Sequence, residues 1–184
     1  SILPRRFTRT QCEEFGAIAG KNLLITGGAG FLGYYLVLAA LHWNKSAGSA
    51  SRIRVTVYDN LSEGHRSAVD ERARFVLGRP EEDHDILNAV KEAKPDAILH
   101  FAANALVGES MTNPGKYFRN NVANGLKLLD AAVACGVKKF VFSSTCATYG
   151  PPDRLPMTED LPQRPINPYG ESKLMFEKML QWYE

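Results

Sequence analysis

Short apolar runs recur along the chain, and most are followed by a longer stretch whose apolar residues fall three or four positions apart. Leu23-Leu24-Ile25 and Val55-Thr56-Val57 are typical of the runs, which are rich in β-branched and aliphatic residues and bounded by Gly, Pro or Asp. Such runs suit strands buried in a parallel sheet, whereas the wider spacing marks one face of a helix. The pattern predicts strands at 22–26, 53–58, 74–77, 97–101 and 138–143, and helices at 31–43, 84–93, 114–135 and 169–183. In the long helix, Leu126, Leu129 and Val133 are predicted to face the core, with Lys127 and Asp130 on the polar side. Alternation of strand and helix predicts an α/β fold with a parallel sheet covered on both faces. Pro151, Pro152, Pro156, Pro162, Pro165 and Pro168, six of the ten prolines, predict an ordered loop without regular structure that delivers the chain to its last helix.

The first strand breaks into Gly27-Gly28-Ala29-Gly30-Phe31-Leu32-Gly33 before the first helix. Gly27 permits a tight turn, Gly30 lets the backbone approach a pyrophosphate, and Gly33 allows the helix to pack closely on the strand. The helix N-terminus then faces the anion. The second strand ends in Asp59, whose carboxylate suits the adenosine ribose hydroxyls and repels a 2′-phosphate, so NAD is expected rather than NADP. The interval between the two signals is stretched by the polar segment Lys45-Ser46-Ala47-Gly48-Ser49-Ala50-Ser51-Arg52, read as a surface loop.

Candidate chemistry lies at the other end, in Pro168-Tyr169-Gly170-Glu171-Ser172-Lys173. Four residues are close to one helical turn, so the Tyr169 phenol and the Lys173 ammonium share a face. An ammonium there favours the deprotonated phenol, which can take a proton from an alcohol as hydride leaves its carbon.

Composition narrows the classes. A chain of 184 residues with 45% hydrophobic and 23% charged residues is an ordinary globular domain. A formal charge of +2 gives no reason to expect nucleic acid, and no apolar run is long enough to span a bilayer. Cys12, Cys135 and Cys146 are odd in number and widely spaced, which predicts reduced thiols; no metal site is expected, because His42 and His84 lack partners at ligand spacing. His100 and Cys146 read as packed residues, His65 as a loop residue on the adenosine side, and Trp43 and Trp182 as packing aromatics. Residues 1–20 read as an N-terminal extension before a nucleotide-binding domain at 21–184. Arg5, Arg6 and Arg9 suggest the remnant of an organelle-targeting or processed segment, Glu13 and Glu14 argue for a tag-like or structural extension, and a cytoplasmic location is the default expectation.

Several phrases occur in one order: Tyr58-Asp59-Asn60-Leu61-Ser62 with Gly64-His65-Arg66, His100-Phe101-Ala102-Ala103, Val107-Gly108-Glu109-Ser110 and Asn120-Asn121-Val122. Ser143-Ser144-Thr145-Cys146-Ala147-Thr148-Tyr149-Gly150 and Pro165-Ile166-Asn167-Pro168-Tyr169-Gly170 follow. With the glycine turn and the tyrosine–lysine pair, they resemble the extended short-chain dehydrogenase/reductases, and among them the NAD-dependent UDP-glucose and UDP-pentose 4-epimerases. The resemblance implies a Rossmann-type doubly wound sheet with tightly held NAD. It implies a UDP-sugar substrate inverted at C4 through a 4-keto intermediate. It assigns Tyr169 as acid/base, Lys173 as its tuning residue and Thr145 as the hydroxyl on the sugar oxygen. Gly27, Gly30, Phe31, Leu32, Asp59, Asn60, Phe101, Ala102, Asn120 and Ser143 match NAD-contacting positions, as do Gly33, Tyr169 and Lys173. A homodimer seam on the 114–135 helix is also implied, while Arg79, the N-terminal extension and the short chain point instead to membership of a larger assembly.

Nucleotide-sugar dehydratases and decarboxylases carry carboxyl groups just after the threonine, where this chain has Cys146 and Ala147, so epimerisation fits best. Arg79 stands where the family has an aspartate that accepts from the adenine amine, a role a guanidinium cannot fill, and Pro80 removes a backbone donor beside it. Ala105 replaces a lysine found near the cofactor in some members. Family members also continue past this last helix into further strands and the substrate region, so the chain reads as part of a longer protein whose C-terminal strands and substrate region are absent. A non-catalytic Rossmann subunit of a larger assembly is the alternative reading.

Overall fold

The structure, a computed structural model, describes residues 16–82 and 84–183. Most of the stretch read as an N-terminal extension, together with Cys12, lies outside the described residues. The chain divides into two compact units. One comprises the described residues up to Ala102 with Ala131–Phe142, and the other Ala103–Asp130 with the residues from Ser143 onward.

The first unit holds a five-stranded, all-parallel sheet: β1 (Asn22–Thr26), β2 (Arg54–Asp59), β3 (Arg74–Leu77), β4 (Ala97–His100) and β5 (Phe140–Phe142), in the order β3-β2-β1-β4-β5. Parallel neighbours need crossover segments, and the expected alternation supplies them. Central β1 pairs Leu24 with Thr56 on one side and Ile98 on the other. The result is a Rossmann-type sheet, as the strand pattern and the glycine turn lead one to expect. β5 is three residues long where six were expected, because its ladder runs only from Ile98–Phe140 to His100–Phe142, the extent of short β4.

Helix α1 (Phe31–Trp43) buries Gly33, Val37, Ala40 and Leu41, positions that recur on one helical face. They join Leu23, Ile25, Val55 and Val57 in the core, with Trp43 packed partly buried against it. Helix α2 (Asp85–Ala93) buries Ile86, Ala89 and Val90, again one face. His100 is buried, its Nδ1 2.6 Å from the Thr26 hydroxyl and its ring stacked on Phe142, which is the packing role its apolar neighbours imply.

The second unit is helical. α3 (Val107–Thr112) precedes a rod at 114–134 made of α4 (Pro114–Tyr117), a π-helical stretch (Phe118–Asn124) and α5 (Gly125–Ala134), whose residues from Ala131 onward count with the first unit. α6 (Pro168–Trp182) closes the chain, with Pro168 in its first turn and Asn167 as cap: the Asn167 Oδ1 accepts the Gly170 N–H at 2.7 Å. As the prolines predict, residues 151–167 form no regular element.

Two expectations about packing are corrected. Leu126 and Val133 do not face the core but are 39% and 61% exposed; Gly125, Leu128, Leu129, Ala131 and Ala132 are the buried positions. All three predicted positions lie in regular α5, where two adjacent faces share Leu129, so a three-and-four spacing alone does not choose between them. Small side chains also favour the chosen face: a Cβ on Gly125 would stand 2.4 Å from the Phe176 ring of α6. Trp182 is not a packing residue either, being 89% exposed at the end of α6. Among the described residues, no helix is long and apolar enough to cross a membrane.

Candidate active site

The first unit gathers the dinucleotide-type residues at the C-terminal ends of its strands, where β1 turns into α1. Gly27 has a φ of +73°, and a Cβ there would meet the Ala102 nitrogen at 2.5 Å and the Phe101 carbonyl carbon at 2.7 Å. The turn is therefore open only to glycine, and it lies directly against the Phe101–Ala102 backbone. A Cβ on Gly33 would stand 2.4 Å from the Gly27 carbonyl oxygen, so α1 starts in contact with the turn, as the spacing predicts. α1 opens at Gly30 with no side-chain cap and no acid in its first turn. Its first N–H groups thus present a partial positive charge that fits a pyrophosphate. Phe31 and Leu32, in that first turn, are exposed.

Asp59 is 7% exposed at the end of β2, and both its carboxylate oxygens are engaged: Oδ2 accepts the Ala29 N–H at 2.9 Å and Oδ1 the Leu61 N–H at 2.8 Å. Beyond the ribose role expected of it, this carboxylate fastens the glycine turn to the loop after β2. Each oxygen keeps a lone pair for a hydroxyl, and an acceptor-only group fits ribose rather than a 2′-phosphate. Exposed Asn60 accepts the Ser62 N–H and hydroxyl through Oδ1 at 3.1 and 2.8 Å. His65 is an exposed loop residue whose N–H donates to the Ala29 carbonyl at 3.3 Å, which places it beside the turn. Arg79 is exposed and its guanidinium pairs with Glu82 at 3.2 Å. Its backbone N–H donates to Asp85 Oδ2 at 2.7 Å, the same oxygen that accepts the Tyr58 hydroxyl at 2.6 Å. Burial and the bond to Asp85 push the Tyr58 phenol strongly upward.

The second unit gathers the proton-transfer candidates. Tyr169 and Lys173 lie one turn apart near the start of α6, as predicted. Lys173 is 4% exposed, and its Nζ donates to the Ser143 carbonyl at 2.8 Å. Burial lowers the ammonium to about 8, opposed by the charge of Glu177 one turn further on. Tyr169 is half-buried, its ring edge-on to that of fully buried Tyr117, with centroids 6.4 Å apart. The Tyr117 hydroxyl lies 2.7 Å from both the Leu106 carbonyl and Glu109 Oε2. Thr145 is extended and half-buried; its Oγ accepts the Ala147 N–H at 3.2 Å and keeps its own proton to donate. Cys146 is exposed rather than packed, because the short turn Cys146–Thr148 directs Thr148 inward instead.

Asn120 falls in the π-helical stretch, its Nδ2 donating to Asn121 Oδ1 at 3.1 Å. Asn121 is the residue sequence reasoning undervalued. It is 3% exposed, accepts the Asn104 N–H at 2.9 Å, and donates to the Asn104 carbonyl and the Ser172 hydroxyl, each at 3.0 Å. Ser172 in turn donates to the Tyr169 carbonyl at 2.7 Å. A buried, fully bonded network thus ties the π-helical turn to the helix that carries Tyr169. Its advance signals are its place in the phrase Asn120-Asn121-Val122 and a pair of adjacent asparagines inside a helical pattern, where asparagine is unfavourable.

Comparison with known proteins identifies the family. Residues 23–184 match the model of the NAD dependent epimerase/dehydratase family. The chain is 46% identical over 162 residues to the UDP-glucose 4-epimerase of Streptococcus mutans, covering 87% of this chain and 46% of that enzyme. Its structure resembles UDP-glucose 4-epimerase from Brucella ovis solved in complex with NAD, with a TM-score of 0.79, 44% identity, and coverage of 89% of this chain and 47% of that one. The Thermotoga maritima UDP-glucose 4-epimerase solved with UDP-glucose gives a TM-score of 0.80 at 32% identity, with 88% and 50% covered. The chain spans about half the length of the curated relatives it matches.

Proposed function

The chain belongs to the NAD dependent epimerase/dehydratase family, and from that premise we propose that it is the cofactor-binding and proton-transferring part of a nucleotide-sugar 4-epimerase. The substrate is a UDP-hexose or UDP-pentose, inverted at C4 through a transient 4-keto sugar. The turn Gly27–Gly33 and the open end of α1 hold the pyrophosphate of NAD, and Asp59 and Asn60 lie toward its adenosine side. When bound, NAD supplies an acceptor for the C4 hydride and returns it to the opposite face of the ring. Tyr169 takes the proton of the 4-hydroxyl and gives it back, Thr145 holds the sugar oxygen, and Lys173 keeps positive charge beside the phenol. The cradle must retain the cofactor throughout, because the chain's own groups move only the proton.

One observation carries this reading: Lys173 is buried, bonded to the Ser143 carbonyl, and one helical turn from Tyr169. A dry ammonium is unfavourable unless it has a task, and tuning a phenol is such a task. Cys146 and Ala147, in the turn after Thr145, bring no carboxyl group, which supports epimerisation over elimination of water. The exposed Leu126 and Val133 on α5 support a homodimer seam along that helix. The test is Tyr169→Phe in the full natural protein, assayed for conversion of UDP-glucose to UDP-galactose, and of the pentose pair, without added reductant. Turnover is expected to fall by about 100-fold or more with NAD still bound. Undiminished turnover refutes the assignment of the base.

A further inference from the structure

Glu177 lies four residues after Lys173 in α6, so Tyr169, Lys173 and Glu177 stand on successive turns of one face. Its two carboxylate oxygens serve two different segments. Oε1 accepts the Ser144 hydroxyl, and Oε2 accepts the Gln163 side-chain amide at 2.6 Å. The same Gln163 nitrogen lies 3.3 Å from the Thr148 hydroxyl, which donates to the Thr145 carbonyl at 2.9 Å. Thr148 is 1% exposed, so this chain of contacts ends in the interior. Meanwhile Lys173 holds the carbonyl of Ser143. Neighbouring residues of one extended segment, Ser143 and Ser144, are therefore gripped by two residues one turn apart on α6. A two-point grip fixes both the distance and the rotation of the segment that leads into Thr145, which a single bond cannot do.

We propose that Glu177 is a positioning residue of the epimerase site: by joining Ser144 and Gln163 to α6, it holds the Thr145 hydroxyl in register with the Tyr169–Lys173 pair. The inference rests on the roles given above to Thr145, Tyr169 and Lys173. Glu177 itself need not touch substrate; its effect is geometric, and a displacement of the Thr145 segment lowers the rate of proton-coupled hydride removal more than it weakens sugar binding. A carboxamide can supply one acceptor to Ser144 and a donor to a reoriented Gln163, so glutamine preserves the grip that alanine abolishes.

The experiment compares Glu177→Ala, Glu177→Gln, Ser144→Ala and Tyr169→Phe in the full natural protein, reading kcat, KM for the UDP-sugar and bound NAD. Glu177→Ala is expected to lower kcat by about tenfold to a hundredfold with KM within about twofold and NAD retained, and Glu177→Gln to recover most of the loss. Ser144→Ala removes one of the two grips and is expected to lie between wild type and Glu177→Ala; it also serves if Glu177→Ala does not fold. Wild-type kcat in Glu177→Ala or, failing its folding, in Ser144→Ala overturns the proposal, as does a loss in Glu177→Gln equal to that in Glu177→Ala. If Tyr169→Phe remains active, the reading of the site fails first. If Tyr169→Phe is inactive while Glu177→Ala is unimpaired, only the positioning role fails.

Discussion

Asp59→Asn separates two tasks that the Asp59 carboxylate performs at once. Each of its oxygens accepts a backbone N–H, from Ala29 in the glycine turn and from Leu61 beyond β2. Asparagine offers one acceptor, so one of the two donors must face an NH2 group inside a site only 7% exposed. A hydrogen bond to a charged partner contributes about 1.5–3 kcal/mol and an unsatisfied buried donor costs about 1–3 kcal/mol, so the substitution is expected to cost about 2–4 kcal/mol. With a urea slope of about 2 kcal/mol/M, the unfolding midpoint of cofactor-free protein falls by about 1–2 M. Equilibrium urea unfolding, followed with and without saturating NAD, reads both tasks. If the carboxylate only met the ribose, cofactor-free stability would be unchanged and only the gain on adding NAD would shrink. An unaltered midpoint without cofactor therefore refutes its role as a fastener of the turn. The same variant is expected to narrow the preference for NAD over NADP, since the charge opposing a 2′-phosphate is gone.

Two further outcomes follow from buried groups. The Lys173 ammonium titrates near 8 in the folded protein against 10.5 when unperturbed, so between those values the unfolded chain binds more protons and stability rises with pH. The burial penalty, about 3 kcal/mol, is present below pH 8 and relieved by pH 10.5; the stability gap between Lys173→Met and wild type should shrink by that amount over the window, and a constant gap refutes it. Asn121→Leu strands the Asn104 N–H and carbonyl and the Ser172 hydroxyl, and is expected to cost about 3 kcal/mol and lower the Tm by about 10 °C; an unchanged Tm by calorimetry would show that the network is dispensable.

What could be read from the sequence was whatever a local pattern dictates. The glycines at 27 and 33 announce the cradle because a Cβ at either would strike backbone at the turn and at the helix approach, and the Tyr169–Lys173 spacing announces a shared face. The strands at 22–26 and 74–77 and the helix at 31–43 emerged with the expected bounds, each being a strong run with clear punctuation. The rest depended on contacts distant in sequence. α3 leaves no local signal, because Val107-Gly108-Glu109-Ser110 has no apolar repeat; it is pinned by Lys116 and Tyr117 on Glu109 instead. Leu126 and Val133 share a three-and-four spacing with buried Leu129, but the face actually buried carries Gly125, Leu128 and Ala132, a choice made by contacts such as Gly125 on the Phe176 ring that local spacing does not reveal. The second duty of Asp59 depends on Ala29, thirty residues earlier, which no local spacing reveals.

The π-helical turn at Phe118–Asn124 lets the rod absorb one extra residue. Removing one residue there would let the coil relax to an ordinary winding while leaving the faces of α5, Gly125 against the Phe176 ring included, nearly in phase, because a wide turn holds one residue more than an α-turn. Asn121 would lose its aim at Asn104 and Ser172 in the same stroke. The length of this segment is thus as constrained as its composition, and natural variants are expected to change its letters far more readily than their number.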